Sequence, residues 1–142
     1  MQTQPMGVLE HRETALEFLR EADEYFRQGD DLQGAEKMWG AAAHSVIAVC
    51  QQRGWRHRSH RAMSDAVSSI GTELRDAGNE LAAVILERGF IIASNYHVHF
   101  YHRDMDHNGG NGWFFNAAKG AVEQFVARMV AISESLDSQL SS

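Results

Sequence analysis

The chain has 142 residues, 44% of them hydrophobic, and a formal net charge of -6. That length suits one domain with one buried core, and the acidic balance argues against a general nucleic-acid coat, because phosphate backbones are gripped by a positive field. No apolar run approaches the roughly 18 residues that cross a bilayer; the longest, "LAAVILERGFIIA", is broken by Glu87 and Arg88.

In chain order, "MQTQPMGVLEHRETALEF" lacks a basic region followed by an apolar run, so no signal peptide is expected. Pro5 is the sole proline and no Gly, Ser or Pro block interrupts the middle, so a single domain over 1–142, with its core at about 10–136, is expected. From Glu10 to Gly29, Ala15, Leu16, Leu19, Ala22 and Phe26 recur at helical spacing against charged residues, which predicts an amphipathic helix closed by Gly29. A second helix starts with Asp30 or Asp31 as its cap and stops at Gly54. Gly40, Ala41, Ala42 and Ala43 lie inside it, small enough to admit a close neighbour. Cys50, alone in an apolar stretch, reads as a small buried residue in a reduced, cytoplasmic setting.

"RGWRHRSHR", residues 53–61, concentrates arginine in an otherwise acidic chain. Arg56, Arg58 and Arg61 are candidate phosphate contacts, or alternatively a solvated loop complementing the preceding helix C-terminus. A shorter helix follows, with Met63, Ala66, Val67, Ile70 and Leu74 inward, and Gly78 and Asn79 mark its turn. The segment from Glu80 to Tyr101 is apolar on nearly every side, the pattern of a central helix or one covered by a partner chain; a homodimer through 80–101 is therefore expected. After "HNGGNG", the run from Trp113 to Leu136 predicts a last helix, with the tail "DSQLSS" expected to fray. With no alternating strand pattern of useful length, the fold class is all-α: an antiparallel up-and-down bundle of four long helices and one shorter one.

Chemistry concentrates in "SNYHVHFYHRDMDHNGG", residues 94–110, which holds four of the eight histidines. Residues on a helix advance by about 100° each, so His99 and His102 share a face while His97 pairs with Tyr101. A metal site here draws on His99, His102 and Asp106, with His44 from another helix as a further ligand. Arg103 and His107, four apart, offer a second chemistry: metal-independent RNA cleavage needs a group that moves protons near neutral pH and a cation that steadies phosphate charge. His97 is a further proton-transfer candidate, or a core or interface histidine.

The array "EADEYFRQGDDLQGAEKMWGAAAHSVIAVCQQRGW", followed by "YHVHFYH", resembles the HEPN superfamily of small helical domains and, within it, the stand-alone PaREP-type proteins. The residues that carry the likeness are Gly29, Asp30, Ala35, Glu36, Lys37, Trp39, Ala41 and Ala42, then Tyr96, His97, Val98, His99, Phe100 and Tyr101. The resemblance implies a four-helix core, a homodimer whose protomers share one cleft, and RNA or a nucleotide as ligand. Many such proteins are metal-independent endoribonucleases of toxin–antitoxin type, and others are silent partners of nucleotidyltransferases. Transferred here, Arg103 and His107 are the catalytic candidates, Asn95 and Tyr101 line the cleft, and no cofactor is expected. Three residues separate Arg103 from His107, where the superfamily pattern has four to six.

Overall fold

The computed structural model describes residues 6–97 and 112–141, all-α with five helices and no strand among them. They are α1 (Val8–Arg27), α2 (Asp31–Arg53), α3 (His60–Asp76), α4 (Glu80–Asn95) and α5 (Gly112–Ser141). No helix among the described residues is long and apolar enough to cross a membrane.

Two hairpins are built by one device. At the end of α1, Gly29 takes φ +80°, where its missing Cβ removes the usual penalty. The Gly29 N–H then donates to the Phe26 carbonyl and the Asp30 N–H to that of Tyr25, satisfying carbonyls the helix would leave open. The Asp30 side chain in turn accepts from the Gln33 N–H at 3.2 Å, so the residue that closes α1 also caps α2. Gly78 and Asn79 repeat the arrangement between α3 and α4. Asn79 donates its N–H to the Leu74 carbonyl and accepts from Ala82 N–H through its side chain at 3.3 Å. Each turn is short, so each hairpin is antiparallel.

The remaining α2–α3 connection is different. Trp39 meets His60 near the start of α3, and Arg53 meets Glu73 near its end. Both helices therefore run in the same direction. The connector 54–59 must travel back along α2, which six residues manage only when nearly extended. It leaves α2 through Gly54 at φ +69° and enters α3 through Ser59, whose hydroxyl accepts from the Ala62 N–H at 3.0 Å.

α1 packs along α2 through Ala15, Ala22, Ala35, Ala41 and Ala42, all buried. Gly40 receives the Phe18 ring where a Cβ would come within 2.7 Å of it, so the small-residue run does admit a close neighbour. α5 lies against α2 and α4, and contributes Val122, Phe125, Val126 and Met129 to a core that also holds Met38, Val46, Val49 and Leu86. Cys50 is fully buried, and that burial pushes its thiol up to about 11, in keeping with a packing residue.

One expectation needs correction. The tail after Leu136 is expected to fray, but α5 continues through it to Ser141. Arg12 of α1 donates to the Ser133 hydroxyl at 3.0 Å and to the Asp137 carboxylate at 2.5 Å. Gln52 of α2 donates to the Ser133 carbonyl and to Asp137, and accepts from the Ser133 hydroxyl. Side chains from two other helices thus hold a stretch whose own sequence has little helix signal. As expected, α4 is α-helical to Asn95, and it passes into a wider π turn at Tyr96 and His97. The rest of that predicted segment lies outside the described residues.

Candidate functional site

The junction of α2, α3 and α4 gathers polar and aromatic chemistry around Trp39. Trp39 lies within a run of small residues on α2, so its indole extends beyond its neighbours and meets three rings. His60 stacks on it at 5.5 Å between centroids, His97 lies at 5.6 Å, and Phe90 at 5.8 Å. His60 also touches Phe90 at 5.4 Å.

Each histidine has a different polar neighbour. His97 Nδ1 lies 3.4 Å from the Glu36 carboxylate, one turn of α2 before Trp39. His60 Nε2 lies 2.8 Å from Ser94 Oγ on α4, and Ser94 Oγ donates to the Phe90 carbonyl at 3.0 Å. His60 is exposed, and the side chain of His97 is 46% exposed, so both rings can meet a ligand. Asn95, exposed, precedes the π turn that carries His97.

The arginine-rich connector leads into this cluster. Arg53 is committed elsewhere: it forms a two-pronged ion pair with Glu73, at 3.0 and 2.6 Å, and its guanidinium lies 4.2 Å over the Trp55 ring. The pairing holds the Glu73 carboxyl below its ordinary range. Arg56, Arg58 and Arg61 are exposed, and among the described residues no ion pair engages them. An open cleft of about 540 Å³ lies beside them, lined by Trp55, Arg56, Ser59, Arg61, Asp65 and Ser69. Exposed arginines beside an open cleft suit a phosphate-bearing ligand.

A second histidine group sits on the other side of α2 and is built otherwise. His11 Nδ1 and His44 Nδ1 are 2.8 Å apart between α1 and α2, and Phe18 closes edge-on over His44. Burial holds both rings below the ordinary imidazole value of 6.5. For His11 the charge of His57 adds to this and Glu10 opposes it; for His44, His11 and Lys37 add to it.

Of the residues expected to carry function, His97, Asn95, Arg56, Arg58 and Arg61 surround or approach the α2–α3–α4 junction. His44 does not; it is paired with His11. Arg103, His107, Tyr101, His99, His102 and Asp106 lie outside the described residues. Among the described residues, no group of three His, Cys, Asp or Glu side chains is arranged to hold a metal ion. Sequence reasoning missed Glu36, Trp39, His60 and Ser94 as site residues. One signal for Trp39 was available, a large aromatic among alanines and glycines, but nothing local connects it with His60.

No curated protein and no solved structure matches the chain. A family model matches residues 10–109, which span α1 to α4 and the segment that follows, so the chain belongs to the archaeal PaREP1/PaREP8 family.

Proposed function

We propose that the chain is a single HEPN-like domain that binds RNA and cleaves it without a metal. The observation that carries this reading is the pair of accessible imidazoles, His60 and His97, set against Trp39 at the end of a connector bearing Arg56, Arg58 and Arg61. Imidazole exchanges protons near neutral pH, and arginine neutralises phosphate. In this reading the cleavage groups are Arg103 and His107, with their shortened spacing, and Asn95 and Tyr101 contact the RNA. The buried, unreactive Cys50 fits a reduced cytoplasmic setting.

The test is cleavage of a labelled RNA pool by untagged protein in EDTA, with Arg103→Ala, His107→Ala and His97→Ala beside wild type. Cleavage that persists in EDTA and disappears in Arg103→Ala and His107→Ala is expected. Equal cleavage by all four proteins, or none by wild type, rejects the reading. Arg56→Glu with Arg58→Glu should weaken RNA binding and flatten its dependence on salt.

A second reading, a silent interaction partner of a nucleotidyltransferase, is favoured by one feature of α4. Leu81 and Ile91 are 69% and 59% exposed on it, an apolar surface that a second copy or another protein can cover. Light scattering of wild type against Ile91→Glu decides whether α4 mediates a homodimer: a dimer lost in the variant supports it, and a monomeric wild type rejects it.

A further inference from the structure

We propose that the connector between α2 and α3 is a three-phosphate track for a single RNA strand, with Arg58, Arg56 and Arg61 each taking one phosphate in that order. The assignment rests on the RNA-binding reading above and names the kind of strand and the contacts that hold it. It begins from the burial pattern of the connector. Arg56 and Arg58 are exposed and His57 between them is half-buried, so the two arginines share the outward side of the chain. On a nearly extended chain, residues two apart face the same way and stand about 6 to 7 Å from each other. That interval is close to the step between neighbouring phosphates on a nucleic-acid strand.

Two clefts carry the track past Arg56. One, of about 540 Å³, has Arg56 and Arg61 in its walls; the other, of about 500 Å³, has Arg56 and Arg58. Both are also lined by Gly54, Trp55, Ser59 and Ala62, so they adjoin and Arg56 borders the two. Guanidinium forks grip phosphate oxygens directly, and among the described residues no carboxylate engages these three. Arg53, in the same run, is not available, because both of its prongs rest on Glu73.

The surroundings favour one strand over two. Residues 53–61 contain no acid, but the whole chain carries a net charge of -6, and Asp65, one turn of α3 after Arg61, lines the larger cleft. The positive strip is therefore narrow, and the second strand of a duplex would lay its phosphates over negative surface. Neither cleft is lined by Asn or Gln, the side chains that read adenine edges, so the grip falls on the backbone.

The experiment follows, by anisotropy over a range of salt, the binding of labelled 2′-O-methyl oligoribonucleotides of about two to eight nucleotides and of a duplex matching the longest. The blocked 2′-oxygen keeps binding separate from cleavage. Wild type is compared with Arg53→Gln, Arg56→Gln, Arg58→Gln and Arg61→Gln, and folding is read by circular dichroism. Affinity should climb steeply until the strand carries three phosphates, and beyond that only as further registers become available. The logarithm of the binding constant should fall against that of salt with a slope of about -2, three single-strand contacts at roughly 0.7 each. Each of Arg56→Gln, Arg58→Gln and Arg61→Gln should weaken binding and take about 0.7 off the slope, and Arg53→Gln should leave the slope as it is. The duplex should bind more weakly than the strand. A slope reduced by Arg53→Gln as much as by the other three, or a duplex bound as tightly as the strand, overturns the track, because net charge alone then accounts for binding. Wild-type affinity in the other three variants also overturns it and leaves the ribonuclease reading standing. Wild type that binds none of these strands overturns the track, and if it leaves RNA uncut as well, the ribonuclease reading falls with it.

Discussion

Two histidine pairs, on opposite sides of α2, meet opposite fates. His44, on the side of α2 that faces α1, is shut against His11, each ring being the other's hydrogen-bond partner. On the side that faces α3 and α4, His60 and His97 do not depend on each other: Ser94 and Glu36 serve them, and both reach solvent. The residue type is the same. What differs is which neighbour satisfies the ring nitrogens and how far the ring reaches solvent, and this decides between a buried structural clasp and an exposed ring.

The comparison is most sharply broken by truncation. His44→Ala removes a ring from the α1–α2 interface and leaves His11 without its partner, a loss of about 2–3 kcal/mol in urea unfolding. His60→Ala, at an exposed position, should cost less than about 1 kcal/mol. Similar losses for both would erase the distinction between clasp and site.

Acid should act on the clasp. A Nδ1···Nδ1 hydrogen bond needs one nitrogen bare, so full protonation sets two N–H groups against each other. Both rings are held below 6.5 in the folded state, so the unfolded chain binds more protons in that range. The stability is fully present above pH 6.5 and is lost as pH falls below that value toward the lowered ones. Glu10 works against this shift, and His57 and Lys37 with it. Thermal melts from pH 7.5 to 5 should show Tm falling in wild type and much less in a His11→Phe, His44→Leu double variant.

Chemical modification offers a finer contrast. Diethylpyrocarbonate attacks accessible neutral imidazole, so peptide mapping should find His60 and His97 modified before His11 and His44. The smallest expected effect concerns Arg12, the neighbour of His11 in sequence. Arg12→Met should lower Tm by a few degrees by releasing Ser133 and Asp137, while the modification order of the histidines stays unchanged.

Much of the framework was legible from local sequence. Gly29 with Asp30, and Gly78 with Asn79, announce the hairpin turns because a left-handed glycine and a capping side chain act within a few residues of the helix they end or begin. Ala15, Ala22, Val122, Phe125 and Met129 follow helical periodicity and are buried, because one side of each helix must face the core. Gly54 and the extended residues after it were recognisable as a break in the helix. Their consequence, a connector that runs back along α2 and makes α3 its parallel neighbour, was not.

The site was legible only as far as composition reaches. The sequence by itself determined that chemistry gathers near residue 97 and that arginine is concentrated at 53–61. Only the tertiary structure decided that His97 meets Glu36 and Trp39, that His60 meets Ser94, and that His44 is taken by His11. The same holds for the C-terminal tail, which Arg12 and Gln52 keep helical from positions more than eighty residues away. The physical reason is common to all of them. Caps and periodicity are settled by interactions within about one turn of the chain, whereas a side chain's hydrogen-bond partner depends on which helices lie alongside.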